Sequence, residues 1–517
     1  MTVPTPVTPV EAEAGAVTAR LHAPHVPVPD AVVTRLTGVC AEVSSDDATR
    51  VEAGCDWWPI AIRWALAGQV PALPAVVARP SDATQVAAVL AVCHDAHVPV
   101  TAMAGRSGVC GSSVPAFGGV ALDLCAMTGI DELDTTSLLA RVRPGTFGPD
   151  LEASLQADGV TLGHWPQSMD LSTVGGWLAC RGAGQYSTRY GKIEDMVVGL
   201  QVALADGRLV STGGTGPRAA TGPDLTQLFV GSEGVLGVIT EAVLRLHPLP
   251  AAQERRAYAF ADFAAGLEAC RLVLRRGATP AVLRLYDEVE SARNFGVEGR
   301  CALIVLDEAD PGVLGATMAV VDEECSATRA EVLEAELVEQ WLGHRNDVSA
   351  LAPLYRAGIV VDTMEISASW AALPGIYERS VAALRAMDGT LAASAHQSHS
   401  YVDGACLYFT FAGRDPASAA PDGGGASDLG LGDPDRDAWA EHYYVAAWDA
   451  VMDIVRDGGG ALSHHHGIGL NRGRFMADAL GGSFDVLRAV KQALDPRGIL
   501  NPGKLGLPSP FGEIAWP

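Results

Sequence analysis

Val98-Pro99-Val100-Thr101-Ala102-Met103-Ala104-Gly105-Arg106-Ser107-Gly108-Val109-Cys110-Gly111 is the stretch that decides the fold. A short β-branched run leads directly into a glycine-rich loop. Glycine lets successive backbone N–H groups converge on an anion and approach it closely. Two further segments have the same texture: Ser172-Thr173-Val174-Gly175-Gly176-Trp177, continued by Arg181-Gly182-Ala183-Gly184, and Gly231-Ser232-Glu233-Gly234-Val235-Leu236-Gly237. Hydroxyls at Ser107, Ser112, Ser172 and Thr173 can add hydrogen bonds to phosphate oxygens. Any one of these segments reads equally well as a tight turn. All of them together, between residues 105 and 237, favour a large diphosphate cofactor. No G-x-G-x-x-G opens a strand–helix unit near the N-terminus and no P-loop is present, which disfavours a nicotinamide Rossmann site and an NTPase.

The surrounding pattern is mixed. Ala75–Ala78 reads as a strand, and Ser81-Asp82-Ala83-Thr84 starts a helix that runs to about His97 with Val86, Val89, Leu90 and Cys93 on its apolar face. Strands are expected near 119–124, 139–143, 197–205 and 235–246. The expected organisation is a flexible N-terminal arm over 1–30, a helical segment over 31–70 with Trp57, Trp58 and Trp64 as packing residues, a cofactor domain over 71–250, a substrate or cap domain over 251–455, and a segment over 456–517 that returns to the cofactor. Within the cap, 413–435 is rich in Gly, Pro, Ser and Asp and reads as a mobile surface loop.

The bulk numbers exclude several classes. The chain has 517 residues, of which 36 are basic and 61 acidic, for a net charge of −25. That balance argues against nucleic acid as a partner. No signal-peptide pattern and no apolar run of membrane-spanning length is found, so the expected location is cytoplasmic. The ten cysteines include no C-x-x-C pair and read as free, mostly buried thiols.

Ser463-His464-His465-His466-Gly467 follows Gly458-Gly459-Gly460 in a chain with 13 histidines. Imidazole titrates near neutral pH and also ligates metals, so the triplet suggests proton transfer or a metal site. Tyr408 lies in the alternating run Ala405–Phe409, His396 and His399 in Ala395–Tyr401, and Arg284 in Ala281–Asp287. On a regular strand, residues three apart face opposite sides, so one of His396 and His399 is expected to enter the site.

Val100 to Gly111, Ser172 to Gly176, Tyr190-Gly191-Lys192-Ile193-Glu194-Asp195 and Gly231 to Gly237 resemble, in order, the FAD-binding motifs of the vanillyl-alcohol oxidase (PCMH-type) flavoprotein superfamily. Ser463 to Gly469 and Asn501-Pro502-Gly503-Lys504 look like the alkyldihydroxyacetonephosphate synthase branch and its bacterial FAD-linked oxidase relatives. The resemblance spans about residues 55–506. It implies an α+β fold: a two-lobed FAD-binding domain plus a cap with an antiparallel sheet flanked by helices. It implies cofactor contacts from Ala104, Gly105, Arg106, Ser107, Gly108, Val109, Ser172, Thr173, Gly175, Gly176, Gly184, Tyr190, Glu233, Gly237, Ile239 and Asn501.

Relatives with a covalent flavin usually carry a His in the first glycine loop. This loop has none, so non-covalent FAD is expected. The resemblance places Tyr408, His465 and His466 at the substrate, His464 in a more structural position, and Arg284 on an anionic group. His396 stands where the animal synthases carry Arg, and Leu351 aligns where they carry a second arginine. The expected function is FAD-dependent removal of a hydride from a small, anionic hydroxy or amino substrate, with O2 or another electron acceptor and in a homodimer. The alternatives are a redox-neutral alkylglycerone-phosphate synthase and a zinc-assisted D-2-hydroxyacid dehydrogenase. No metal ligand is assigned, because the dehydrogenases carry Glu where His465 stands.

Overall fold

A computed structural model describes residues 10–214, 216–347, 351–418 and 434–515. Most of the 413–435 loop therefore lies outside the described residues, as do residues 1–9 of the N-terminal arm. The first lobe is built on a four-stranded sheet in the order Glu42–Ser44, Val76–Arg79, Val120–Asp123, Val100–Met103, in which only the first pair is antiparallel. Val76–Arg79 is followed by the helix Ala83–Ala96, whose start is fixed by the Asp82 carboxylate accepting from the Gln85 N–H. Its buried face is Val86, Val89, Leu90, Val92 and Cys93. The second lobe is an antiparallel sheet in the order Leu209–Gly213, Val197–Ala203, Val238–Arg245, Leu139–Val142, Ile130–Asp134.

Residues 31–70 depart from an all-helical reading. Helices Asp30–Val39, Asp47–Glu52 and Pro59–Leu66 are interrupted by the strand Glu42–Ser44, which completes the first sheet. Residues 10–30 are tied to the body: Thr18–Ala19 pairs with Gln69–Val70, and Val26 bridges to Gly118. Trp58 and Trp64 pack edge to face at 5.4 Å, whereas Trp57 faces the cavity described below.

The cap is a seven-stranded antiparallel sheet in the order Glu331–Leu333, Ala252–Phe260, Cys301–Ala309, Val282–Tyr286, Thr390–Ser400, Gly404–Gly413, Val360–Ser369. Helices Phe263–Arg275, Pro311–Ala327, Leu373–Ala386 and Pro434–Asp457 flank it. The chain then returns to the first lobe. The Val100 N–H donates to the Ile499 carbonyl and the Asn501 N–H to the Val100 carbonyl, at 2.8 and 2.7 Å. This return ties the C-terminal segment to the strand that feeds the first glycine loop.

Candidate active site

Strand register sets one wall of the site. His396 pairs with Tyr408, Tyr408 with Glu365, and Tyr286 with His396 across adjacent antiparallel strands. Directly opposed residues share a face, and Arg284 lies two residues from Tyr286 on that same face. As expected, one of the two histidines, His396, lines the cavity described below and His399 does not, but a register shift between Gln397 and His399 means that strand alternation is not the reason. The bulge opposes His399 to Cys406, two residues from Tyr408, and so turns both histidines to one side.

The histidine loop is held from beneath by Glu365. Its buried carboxylate accepts from Ser463 Oγ (2.7 Å), the His466 N–H (2.8 Å), the His464 N–H and Arg472 Nη1 (3.0 Å). Arg472 also donates to the Leu462 carbonyl and lies 4.9 Å from the Trp448 ring centre. Burial alone would raise the Glu365 carboxyl, but Arg472 and His466 outweigh it and hold it below the usual range. At Gly469 a Cβ would sit 2.1 Å from the Cys110 carbonyl oxygen, so only glycine lets this loop lie against the first glycine loop.

Side-chain hydrogen bonds then assign tautomers. His396 places Nε2 2.6 Å from Arg284 Nη2 and Nδ1 2.7 Å from Glu290 Oε2. A guanidinium only donates, so Nε2 is the acceptor and Nδ1–H donates to Glu290. Burial, then Arg284, lowers the imidazole's pKa against the pull of Glu290, which keeps it neutral. Burial would raise Glu290, yet the hydrogen bond from His396, the charge of Arg293 and the hydrogen bond from Thr410 hold it below its usual range. Ser394 and Thr410 donate to its other oxygen. Tyr408 OH lies 2.7 Å from His465 Nε2 and 2.9 Å from His466 Nε2, with its ring stacked on His396 at 4.9 Å. Burial lowers His466 to about 4 and drives His464 and His465 well below 6.5.

Arg284, His396, Tyr408, His465 and His466 share the wall of a cavity of about 480 Å³ with the glycine loops. It is lined by Ala104, Gly105, Arg106, Ser107, Gly108, Val109, Ser172, Thr173, Gly175, Gly176, Glu233, Gly237 and Ile239, with Arg284, His396, Tyr408, His465 and His466 at the cap side. Among the described residues, the N–H groups of Gly105 through Val109 meet no acceptor. A run of unpaired donors on a cavity wall is an anion cradle. Non-glycine residues hold left-handed backbone beside it, at Arg106 (φ 53°) and Glu233 (φ 48°). The residues present therefore fit the phosphates of a dinucleotide, and the histidines line the same cavity. Cys180 lines it, but burial pushes that thiol up to about 12, so it is a protonated packing group.

Several of the expected cofactor residues are also engaged by the protein itself. The Arg106 guanidinium is paired with Glu52 at 2.7 Å, so this residue offers the cavity backbone rather than a free charge. Gly184, Tyr190 and Asn501 are not in the lining. Gly184 packs on the backbone of His164 and Trp165, and Tyr190 OH donates to Glu308. Asn501 Nδ2 donates to the Ser112 and Glu233 carbonyls, clamping two glycine loops together. The Glu233 carboxylate accepts from the Ile468 and Gly469 N–H groups, with burial raising it to about 7.

His464 is buried off the cavity, 2.8 Å Nδ1 to Nδ1 from His465, with Nε2 2.9 Å from Tyr401 OH. Nitrogens of His399, His464 and His465 all lie within 4.8 Å of one another. Glu290, Glu365, Arg472, Ser187 and Tyr401 escaped the sequence reading. A lone carboxylate in the apolar run Met364-Glu365-Ile366 was the one usable signal.

The buried neutral histidines make stability pH-dependent. His396, His399, His464, His465 and His466 all sit below their ordinary value of 6.5 in the folded protein. The unfolded chain binds their protons as pH falls through 6.5 and the folded protein does not. Stability is therefore full above 6.5 and declines on acidification toward the folded values, by about 1.4 kcal/mol per pH unit for each histidine. Thermal midpoints should drop steeply from about pH 6.5 to 5. A flat profile there would contradict the neutral assignment.

Family comparisons agree with this geometry. An FAD binding domain model matches residues 74–213, and a model of the C-terminal domain of FAD linked oxidases matches 249–505. The chain is 30% identical over 450 residues to the uncharacterized FAD-linked oxidoreductase YgcU of Escherichia coli K12, covering 84% of this chain and 89% of that one. It is 29% identical over 474 residues to the alkyldihydroxyacetonephosphate synthase of Dictyostelium discoideum, covering 85% and 74%. Among solved structures, an alkyldihydroxyacetonephosphate synthase superposes with a TM-score of 0.75 at 24% identity (97% and 89% covered). p-Cresol methylhydroxylase superposes at 0.74 and 17% (94% and 99% covered). A glycine-loop cavity closed by a cap sheet, matched along both halves, places this chain in the FAD-linked oxidase family, as an FAD-dependent enzyme.

Proposed function

We propose that the protein removes a hydride from a small anionic substrate bearing a hydroxyl or amino group. The observation that carries this is the cavity wall where Tyr408, His465 and His466 meet in one hydrogen-bonded cluster, with Arg284 in the same lining. Bound FAD supplies a two-electron acceptor. The protein must hold the substrate and take one proton from its O–H or N–H as the C–H bond breaks. Tyr408 oxygen can donate to one imidazole, accept from the other, and still accept from a substrate hydroxyl. Arg284 reaches the wall with one Nη2 bond to His396, while its Nε is buried with no hydrogen-bond partner. Its guanidinium lies 5.4 Å from the Tyr286 ring centre and 5.9 Å from that of Trp341, which fixes its direction. Leu351 lines the cavity, so the wall presents an apolar side chain where the synthases would have a second charge.

The test is anaerobic bleaching of the bound flavin by a panel of hydroxy acids, amines and hydroxylamines. The expected result is reduction by an anionic member of the panel, with Arg284→Met raising its apparent dissociation constant about 10–100-fold through loss of a charge-assisted hydrogen bond. A redox-neutral synthase is the second reading, favoured by the likeness to the Dictyostelium enzyme. It requires ether formation from an acyl dihydroxyacetone phosphate and a fatty alcohol without any electron acceptor. That outcome, with no substrate bleaching the flavin, would replace the first reading.

A further inference from the structure

Hydrogen bonds run without a break from the cavity wall into the protein. His466 Nε2 meets Tyr408 OH at 2.9 Å, and Tyr408 OH meets His465 Nε2 at 2.7 Å. His465 Nδ1 meets His464 Nδ1 at 2.8 Å, and His464 Nε2 meets Tyr401 OH at 2.9 Å. Tyr401 OH meets Ser187 Oγ at 3.2 Å, and Ser187 Oγ meets His399 Nδ1 at 2.7 Å. Every imidazole between the ends uses both nitrogens, and every hydroxyl touches two neighbours. Neutral imidazole has one donor and one acceptor, and a hydroxyl can serve as both. The whole chain therefore has two self-consistent polarities, with all protons pointing toward His399 or all pointing toward His466. Moving one proton in at one end and another out at the other converts the first into the second.

We propose that His464 and Tyr401, with Ser187 and His399 behind them, are positioning residues of a proton relay that carries the substrate proton away from Tyr408. This rests on the hydride-removal reading above. The balance is simple. As the substrate C–H pair leaves for the flavin, the substrate O–H or N–H proton goes to the Tyr408 oxygen. The Tyr408 proton goes to His465 Nε2, the His465 Nδ1 proton to His464, and the His464 Nε2 proton to Tyr401, whose own proton leaves to solvent water while Ser187 and His399 orient its hydroxyl. No group needs to hold an extra charge for longer than the hop, in keeping with the burial that lowers all of these histidines.

Of the members away from the cavity, His464, Ser187 and His399 are buried, while Tyr401 is half-buried and precedes exposed Val402 and Asp403 in the strand turn. Tyr401 is thus the exit nearest solvent. The charged groups facing the chain include Lys192, whose Nζ holds the His464 carbonyl, Glu194 and Asp195, whose charges act on Tyr401, Arg284 on the His396 side, and Glu365 with Arg472 beneath His466.

Two hydroxyl deletions, Tyr401→Phe and Ser187→Ala, test the relay in the FAD-loaded protein. The first readout needs no substrate: the histidine N–H resonances in 1H–15N NMR. A continuous chain requires Tyr401→Phe to move the resonances of both His464 and His465. An unmoved His465 overturns the relay. The second readout is flavin reduction in H2O/D2O mixtures. The parent is expected to show a curved proton inventory, and Tyr401→Phe a linear one with reduction slowed about 10–100-fold. Ser187→Thr, which keeps the hydroxyl, should restore what Ser187→Ala loses. Unchanged inventory and pH profile in both deletions overturn the proposal. So does loss of activity on chelation with recovery on zinc, which would make the His399, His464 and His465 nitrogens ligands. If no substrate bleaches the flavin, the hydride reading fails, while the NMR arm still decides whether the chain is coupled.

Discussion

Tyr408→Phe is expected to slow anaerobic flavin reduction by two to three orders of magnitude, on the order of the contribution of a positioned acid–base group, while FAD stays bound. The phenol oxygen is the junction of the site: it touches both His465 and His466, and its ring stacks on His396. The substitution keeps the stacked ring and deletes only the oxygen, so packing is preserved and the His465 and His466 Nε2 atoms lose their shared partner. Substrate affinity should change little, because Arg284 and its partner His396 are untouched. His465→Ala and His466→Ala should each show a similar loss of rate with the yellow cofactor retained. Stopped-flow reduction under saturating substrate separates the two parameters. A Tyr408→Phe rate close to that of the parent would remove the tyrosine from the chemistry.

Glu365→Ala should be the most destabilising single change in the site, by about 3–5 kcal/mol, because it leaves Arg472 as an unpaired charge with no exposed side-chain surface. It also strips the acceptor from Ser463 Oγ and from the His464 and His466 N–H groups, so the histidine loop loses its floor. Denaturant titration measures the loss. Glu365→Gln keeps a carbonyl acceptor at the same place and should cost less. The pair Glu365→Leu with Arg472→Met removes both charges together and should recover part of the stability without recovering turnover. Equal stability of Glu365→Ala and the parent would mean that the ion pair does not support the fold.

Much of the architecture was legible from local pattern. The strands and the helix around the first glycine loop follow from β-branched runs, an Asp cap and 3.6-residue periodicity, so Val76–Arg79, Ala83–Ala96 and Val100–Met103 fall close to their expected places. The loops were legible because glycine is required wherever backbones touch: a Cβ on Gly105 would meet the Leu171 carbonyl oxygen at 2.2 Å. The strand Glu42–Ser44 was missed because three residues are too few to show a period, and its existence depends on pairing with Val76–Arg79. Trp57 and its neighbour Trp58 look alike in sequence, and only the fold sends one to the cavity and the other to the core.

What the sequence alone determined is the chemistry available: donors for a diphosphate, a tyrosine, a histidine triplet and an arginine, together with the neutral-pH range in which imidazole works. What only the tertiary structure decided is who meets whom. The bulge at Gln397–His399 turns two histidines to one face, and strand register brings Glu365 beneath a loop about a hundred residues later in the chain. Glu290, 106 residues before His396, selects that ring's tautomer. Such pairings arise from long-range closure and burial. Neither leaves a period or a motif in the chain, because a buried carboxylate is tolerated only once its distant partners are in place.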